Sequence, residues 1–170
     1  TNKIVNGTGF INFKLTGRYT TDHFSAAFVS PLYDINKQDW SNELNDGIID
    51  IEKLADLVWT NEIIGEITKT ASNDTGLAEG TIVTSGTIDA AAEAISVGVI
   101  GTGDMMMMYG STMFYILVTD KVLSDKRLWY SPWLFKGEHS SMGGLATSGT
   151  LTHWFKNNFA QELTGDDTFI

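Results

Sequence analysis

Three things are missing or scarce in this sequence of 170 residues, and each excludes a class of protein. Cysteine is absent, which excludes disulfide bonds and thiol catalysis. No apolar run approaches the ~20 residues that a membrane-spanning helix requires, so no membrane partner is predicted. No segment has the pattern of a signal peptide, and we therefore expect a cytoplasmic protein.

Basic residues are scarce as well. The chain has 11 Lys and Arg against 21 Asp and Glu, for a net charge of −10, and the basic residues are scattered. This balance argues against a nucleic-acid partner. It does not argue against phosphate binding, because backbone N–H groups can supply a favourable local field. The hydrophobic fraction of 42% is sufficient for a core.

The most informative segment begins with a strand-to-helix junction. Residues 81–85 are short and β-branched, which predicts a buried strand that Gly86 interrupts. Asp89 then precedes the Ala-rich run 90–97, which predicts a helix. An acid at such a junction could act as a general base. Taken alone, it would more often complement a helix N-terminus.

A β-hairpin is predicted next, over residues 104–119. The apolar run Met105–Met108 predicts a buried strand rather than a metal or cofactor site, and the pattern resumes at 113–118. Gly110-Ser111-Thr112 forms the tip, where hydroxyls and N–H groups could hold a phosphate. Taken alone, a serine there is more often an ordinary turn residue. We expect Gly110 to be a position where a Cβ would crowd either the phosphate or the turn.

Shorter patterns lie on both sides of this segment. A Gly-Thr-Gly sequence at 101–103 predicts a hinge. Strands that alternate with helices indicate an α/β fold. Besides the Ala-rich helix, five helices are predicted. The first ends over residues 9–15 and is closed by Thr16-Gly17, a short one lies within 22–29, and one at 40–44 is capped by Asp39. An amphipathic helix is predicted at 51–58 and the last at 150–163, and further strands are predicted at 65–70 and 140–145.

Other polar residues are given structural roles. The three histidines His23, His139 and His153 have no partner at the spacing of zinc ligands, so no metal site is predicted from this sequence. Thr21-Asp22 is typical of a helix cap rather than of a ligand contact.

Several segments resemble the FGGY carbohydrate kinases. Residues 85–91, SGTIDAA, are similar to the family's Gly-x-x-Asp pattern and the Ala-rich helix that follows its catalytic acid. Gly103-Asp104, an apolar strand and Gly110-Ser111-Thr112 resemble the next family pattern, although the family order is Gly-Thr-Ser or Gly-Thr-Gly. Three further segments resemble the family in the same order: 13–40, 62–80 and 143–155.

The resemblance implies a fold and a domain division. The fold would be the α/β actin-like, ribonuclease H-like ATPase fold. Residues 1–101 would form the second half of a sugar-side N-terminal domain, and residues 102–170 the first part of a nucleotide-side C-terminal domain. The family's first phosphate hairpin and its late adenine-binding Gly-Gly motif have no match here. The chain is therefore expected to be an internal fragment that is inactive alone.

The resemblance also implies an activity, which is transfer of the ATP γ-phosphoryl group to a pentulose such as xylulose. Ribulose, gluconate or another polyol could be the acceptor instead, and a non-catalytic kinase-like sugar-binding protein is the other alternative. ATP and Mg²⁺ would be the cofactors, with the Mg²⁺ ligands outside this sequence. The partners would be the sugar or polyol and ATP, without nucleic acid or membrane, and a homodimer stays open.

Site residues follow from the same resemblance. Asp89 would be the general base, and Asp89 and Ala90 would contact the substrate. The phosphates and the nucleotide would contact the hairpin tip and the last predicted helix, through Gly110, Ser111, Thr112, Gly149 and His153. His153 departs in residue type from the polar residue that the family has at this place.

Overall fold

A computed structural model describes residues 2–162, apart from the side chain of Leu44. Short elements make up the first half of the chain. In chain order they are α1 (Gly7–Thr16), β1 (Thr20–Asp22), α2 (His23–Ala26), β2 (Tyr33–Asp34), β3 (Asp39–Trp40), α3 (Asn42–Asn45), a 3₁₀ turn (Ile51–Lys53), β4 (Asp56–Val58), β5 (Ile63–Glu66), α4 (Lys69–Thr75), β6 (Ile82–Thr84) and α5 (Asp89–Ser96).

Longer strands and one helix follow. They are β7 (Met105–Tyr109), β8 (Met113–Thr119), β9 (Trp129–Pro132), β10 (His139–Leu145) and α6 (Gly149–Phe159). These four strands form one antiparallel sheet in the order β7-β8-β10-β9. The earlier strands form three pairs, of which β1–β4 is parallel and β2–β3 and β5–β6 are antiparallel. The predicted α5, the hairpin and the strand at 140–145 are thus confirmed.

The first helix has the predicted end. The Asn6 side chain caps it by accepting a hydrogen bond from the Gly9 amide at 2.7 Å. At its other end Gly17 adopts φ +78°, and its amide donates to the Phe13 carbonyl at 2.8 Å. A glycine is favoured at such a left-handed position, so Thr16-Gly17 stops the helix as expected.

The amphipathic helix predicted over residues 51–58 is wrong. Only a 3₁₀ turn forms at Ile51–Lys53, and Asp56–Val58 is strand β4. This strand lies parallel to β1, with Asp56 beside Thr20 and Val58 beside Asp22. The backbone hydrogen bonds to β1 override a helical pattern of only eight residues, which is weak when isolated.

Three other boundaries differ from the prediction. Asp39 and Trp40 pair with β2 as a strand, so the next helix begins at Asn42 rather than at residue 40. The strand predicted at 65–70 ends at Glu66, because the Thr68 hydroxyl caps α4 by accepting from the Ala71 amide at 3.2 Å. The last helix ends at Phe159, and residue 163 lies outside the described part.

Two strands that were predicted to be buried lie largely at the surface. Ile82 on β6 is 59% exposed. On β7 only Met106 is buried, whereas Met105 and Met107 are both about half exposed. Strand β7 is an edge of its sheet, and alternate side chains point to opposite faces. Its Met106 side therefore faces the core, and the other side does not.

One hydrophobic core joins the two halves of the chain. Helices α2 and α5 contribute Phe24, Ala91 and Ala94, and they pack on the four-stranded sheet around Met106 and Ile116. The Phe24 and Trp133 rings meet edge to face, with centroids 5.6 Å apart. Residues on both sides of position 101 therefore share a core. Within residues 2–162, no helix has the length and apolarity that crossing a membrane requires.

Candidate functional site

The loop that leads into Asp89 is held on one side by backbone groups. The Ser85 amide donates to the Glu62 carbonyl at 3.1 Å, and the Gly86 amide donates to the Thr60 carbonyl at 3.2 Å. Gly86 has φ +66°, where a glycine is favoured over other residues. This turn redirects the chain from β6 toward the start of α5.

Helix α1 holds the other side of the loop. The Asn12 side chain is 3% exposed, and its Nδ2 donates to the Ser85 carbonyl at 2.9 Å and to Thr20 Oγ1 at 3.1 Å. One turn earlier, Thr8 Oγ1 donates to the Thr87 carbonyl at 3.2 Å. The path of residues 85–88 is therefore determined by side chains more than 70 residues earlier in the sequence.

Asp89 is the first residue of α5 and is exposed. Its Oδ1 accepts a hydrogen bond from the Ala90 amide at 2.8 Å. Ile88 occupies the N-cap position and makes no side-chain cap bond. Asp89 is the acidic residue in the first turn of the helix. The partial positive charge at a helix N-terminus stabilises a carboxylate there. The Ala90 side chain packs against the core and its amide donates to Asp89, so a substrate contact of Ala90 stays a prediction.

The predicted phosphate residues come together at the hairpin tip. Within the tip, the Gly110 amide donates to the Thr112 carbonyl at 2.9 Å. The start of α6 lies on this tip, since the Gly149 amide donates to the Gly110 carbonyl and the Ser148 amide to the Ser111 carbonyl, both at 2.9 Å. The tip and the start of α6 thus form one cluster, made of Gly110, Ser111 and Gly149. Within residues 2–162, no hydrogen bond joins Asp89 to this cluster.

The glycine that lies against a neighbouring backbone is Gly149, not Gly110. A Cβ on Gly149 would lie 2.8 Å from the Gly110 carbonyl oxygen, whereas a Cβ on Gly110 would have only the Thr112 oxygen nearby, at 3.9 Å. The turn itself therefore has room for a Cβ at Gly110, and crowding of a bound phosphate there stays a prediction. The residue without such room is Gly149, because α6 packs directly onto the tip.

Several donors at the tip are available to a ligand. Ser111 and Thr112 are exposed, and their amides have no acceptor among residues 2–162. Ser148 was missed by the sequence reasoning. Its Oγ is buried without a hydrogen-bond partner in the described chain, and its position before Gly149 was the only signal for it. His153 lies one turn further along α6 and is exposed.

The described residues contain no cluster of three metal-ligating side chains. Among residues 2–162 there is no group of three or more His, Cys, Asp and Glu side chains that could hold a metal ion. That the Mg²⁺ ligands lie outside this sequence stays a prediction.

Asp22 caps α2, as the sequence predicted. It accepts hydrogen bonds from the Ser25 amide at 3.2 Å and from Ser25 Oγ. Its carboxylate also accepts from Thr87 Oγ1 at 2.9 Å, a contact that no sequence pattern indicated. Asp22 is 1% exposed, and this burial raises the pKa of its carboxyl above the ordinary value, although the hydrogen bonds from Ser25 and Thr87 lower it.

Comparison with known proteins supports the resemblance. The family described as "FGGY family of carbohydrate kinases, N-terminal domain" matches residues 1–96. The chain is 26% identical over 154 residues to the xylulose kinase of Bacillus subtilis (strain 168), covering 89% of this chain and 31% of that protein. It is 27% identical over 164 residues to the xylulose kinase of Lactococcus lactis subsp. lactis (strain IL1403), covering 95% of this chain and 32% of that protein.

A solved structure has the same fold. The crystal structure of xylulose kinase from Rhodospirillum rubrum matches with a TM-score of 0.87 at 24% identity, covering 98% of this chain and 34% of that one. This likeness confirms the predicted α/β actin-like ATPase fold. The chain spans about a third of the length of the relatives that it matches. Since the family match covers more than half of its residues, the chain belongs to the FGGY family of carbohydrate kinases.

Proposed function

We propose that this chain is a segment of an ATP-dependent sugar kinase that transfers the ATP γ-phosphoryl group to a hydroxyl of a pentulose such as xylulose. The relatives at 26% and 27% identity are both named xylulose kinases, which favours this acceptor. The observation that carries the proposal is the exposed Asp89 at the start of α5, at the end of a loop held from two sides.

In this proposal Asp89 is the general base. Its carboxylate accepts the proton from the attacking sugar hydroxyl as the bond from oxygen to phosphorus forms and the bond to ADP breaks. Phosphoryl transfer depends mainly on positioning and charge stabilisation, so a fixed loop before the base contributes directly to rate.

The hairpin tip and the start of α6 would hold the ATP phosphates. Ser111 and Thr112 offer exposed amides and hydroxyls, and Ser148 offers a hydroxyl without a partner in the described chain. The absence of a side chain at Gly149 lets α6 approach the tip, which gathers these donors. His153, one turn along α6, is a candidate for a nucleotide contact.

The division into a sugar side and a nucleotide side belongs to the same proposal. The family match ends at residue 96, which supports a boundary near 101. The turn at 101–103, which was predicted to be a hinge, is restrained by hydrogen bonds, however. The Gly103 amide donates to the Val118 carbonyl at 2.9 Å, and Asp104 accepts from the Gly101 amide at 3.0 Å. Any closure would therefore move α2 and α5 with the four-stranded sheet, since they share its core.

The experiment is a comparison of acceptors with the longer polypeptide that the proposal requires. ADP release with ATP and xylulose should exceed release with ribulose, gluconate or glycerol, and the 170-residue chain alone should release none. Stronger turnover of ribulose, gluconate or another polyol would support those alternatives. Sugar binding by calorimetry without any ADP release would support a non-catalytic sugar-binding protein. Cell fractionation and sedimentation of the same protein would test the cytoplasmic location and the homodimer.

A further inference from the structure

Asp22 makes hydrogen bonds that extend beyond the helix it caps. Its Oδ1 accepts from Ser25 Oγ, and its Oδ2 accepts from the Ser25 amide at 3.2 Å and from Thr87 Oγ1 at 2.9 Å. Thr87 lies 65 residues further along the chain and belongs to the loop that precedes Asp89. The contact therefore links the start of α2 to the start of α5.

Capping alone does not account for this arrangement. Helix α2 has four residues, and an exposed Asp, Ser or Thr could cap it equally well. Burying a carboxylate carries a large desolvation cost unless donors compensate for it. No Lys or Arg within residues 2–162 forms an ion pair with Asp22. The compensation comes from neutral donors, among them the amide and hydroxyl of Ser25 and the hydroxyl of Thr87.

The loop itself is restrained at Thr87 from two directions. The hydroxyl donates to Asp22, and the carbonyl accepts from Thr8 Oγ1 at 3.2 Å. These two bonds fix both the side chain and the peptide that follows it. Only Ile88 separates this restrained peptide from Asp89, and Ile88 packs against the hydrophobic core. A rotation of Thr87 would therefore turn the first residue of α5.

We propose that Asp22 and Thr87 are positioning residues, whose hydrogen bond holds the loop so that the Asp89 carboxylate faces the sugar hydroxyl. The inference rests on the proposed function, because it concerns the orientation of the proposed base. Neither residue is required to touch sugar or nucleotide. Both act through Asp89, so their removal should lower the rate of the chemical step and leave ATP binding unchanged.

The test is a pair of substitutions at Thr87 in the longer polypeptide. Thr87→Val removes the hydroxyl with little change in shape, and it should lower kcat about 10- to 100-fold while KM for ATP stays within about 2-fold. Thr87→Ser keeps the hydroxyl and should retain kcat within about 3-fold of the wild type. Equal losses in the two variants would overturn the proposal, because the hydroxyl would not be the cause.

Two further variants serve as controls. Thr119→Val removes another threonine hydroxyl, which donates to the Lys121 carbonyl at 2.8 Å at the end of β8 away from the hairpin tip. It should leave kcat unchanged. Asp22→Asn should lower kcat in the same direction as Thr87→Val. If it does not fold, the Thr87 pair decides the question alone.

Hydrogen exchange supplies a readout that does not need activity. The Gly86 amide donates to the Thr60 carbonyl and the Ala92 amide to the Ile88 carbonyl, so they report on the two ends of the loop. Thr87→Val should speed their exchange by about 5-fold or more relative to Thr119→Val. Unchanged exchange would overturn the restraint.

The two proposals fail in different ways. If the wild type phosphorylates sugar and Thr87→Val keeps its full kcat, the positioning role is wrong and the proposed function stands. If the wild type phosphorylates no sugar, the proposed function is wrong, and the positioning role falls with it even where exchange shows the restraint.

Discussion

The loop before Asp89 and the hairpin tip at Gly110 to Thr112 are built by different means. Buried side chains from distant parts of the sequence hold the loop, through Asn12 and Asp22. The tip is held mainly by backbone hydrogen bonds to the start of α6. The side that carries the proposed base Asp89, called the base side below, therefore depends on residue identity. Because these bonds use backbone groups, we expect the tip to tolerate a changed order such as Gly-Ser-Thr, provided that Gly149 has no side chain.

The largest effect is expected at Asp89. Asp89→Asn keeps the shape but cannot accept a proton, so kcat in the longer polypeptide should fall ~10²–10⁴-fold with little change in folding. Glu93→Gln is the matched control, because it makes the same change on an exposed carboxylate one turn along α5. Near-normal turnover in Asp89→Asn would show that Asp89 is not the general base.

The substitution Gly149→Ala, which adds a single methyl group, tests the hairpin tip. Gly149→Ala would place its Cβ 2.8 Å from a backbone oxygen, so α6 must move away from the tip. KM for ATP should rise by about 10-fold, since a loss of about 1.4 kcal/mol is typical of such overpacking. Gly7→Ala is the control, because nothing lies within 4 Å of its Cβ position. Kinetics with varied ATP at saturating sugar would measure both, and equal KM values would contradict the tight contact.

The buried amide of Asn12 tests how much the base side depends on distant side chains. Asn12→Leu leaves the Ser85 carbonyl without its donor, so the free energy of unfolding should fall by about 1–3 kcal/mol. Asn158→Ala removes an exposed amide that bonds within α6, and it should change stability by less than about 0.5 kcal/mol. Urea unfolding of the two variants gives the comparison directly. Similar losses would mean that burial is not the reason.

The smallest effect is a pH dependence confined to the base side. Burial lowers the pKa of His23 below its ordinary 6.5, although Glu62, Asp22 and Asp39 oppose the shift. The unfolded chain then binds more protons, so stability should be lost as the pH falls below about 6.5. His23→Gln should flatten this decline in urea midpoints measured between pH 7 and pH 5. An unchanged slope would show that His23 is not its source.

The ionisation of Asp22 changes stability with pH in the opposite direction to that of His23. Because burial raises its pKa, its contribution to stability is complete below the ordinary value of 3.8 and is lost as the pH rises through the folded value. Thr87→Val removes one donor to the carboxylate, which should raise this pKa further. Carbon chemical shifts of the Asp22 carboxyl group across an acid titration would measure the difference.

Local signals predicted most of the elements that carry the site. Helix α5, the hairpin and the end of α1 each depend on neighbouring residues: an Ala-rich run, Gly110-Ser111-Thr112, and Thr16-Gly17. The failure at 51–58 occurs where Asp56–Val58 pairs with β1, and a partner more than 30 residues away leaves no trace in local periodicity. The failure at 40–44 has a different cause, because Trp40 pairs with the neighbouring β2 in a short hairpin that the sequence reading did not recognise.

By itself, the sequence determined the fold class, the family, and which residues are candidates for the base and the phosphate cradle. It could do so because these depend on short motifs in a fixed order. Only the tertiary structure decided that Asp22 meets Thr87, that Gly149 rather than Gly110 is the crowded glycine, and that α2 and α5 share a core with the sheet. Such contacts depend on the positions of packed elements in space, which residue type and spacing along the chain do not specify.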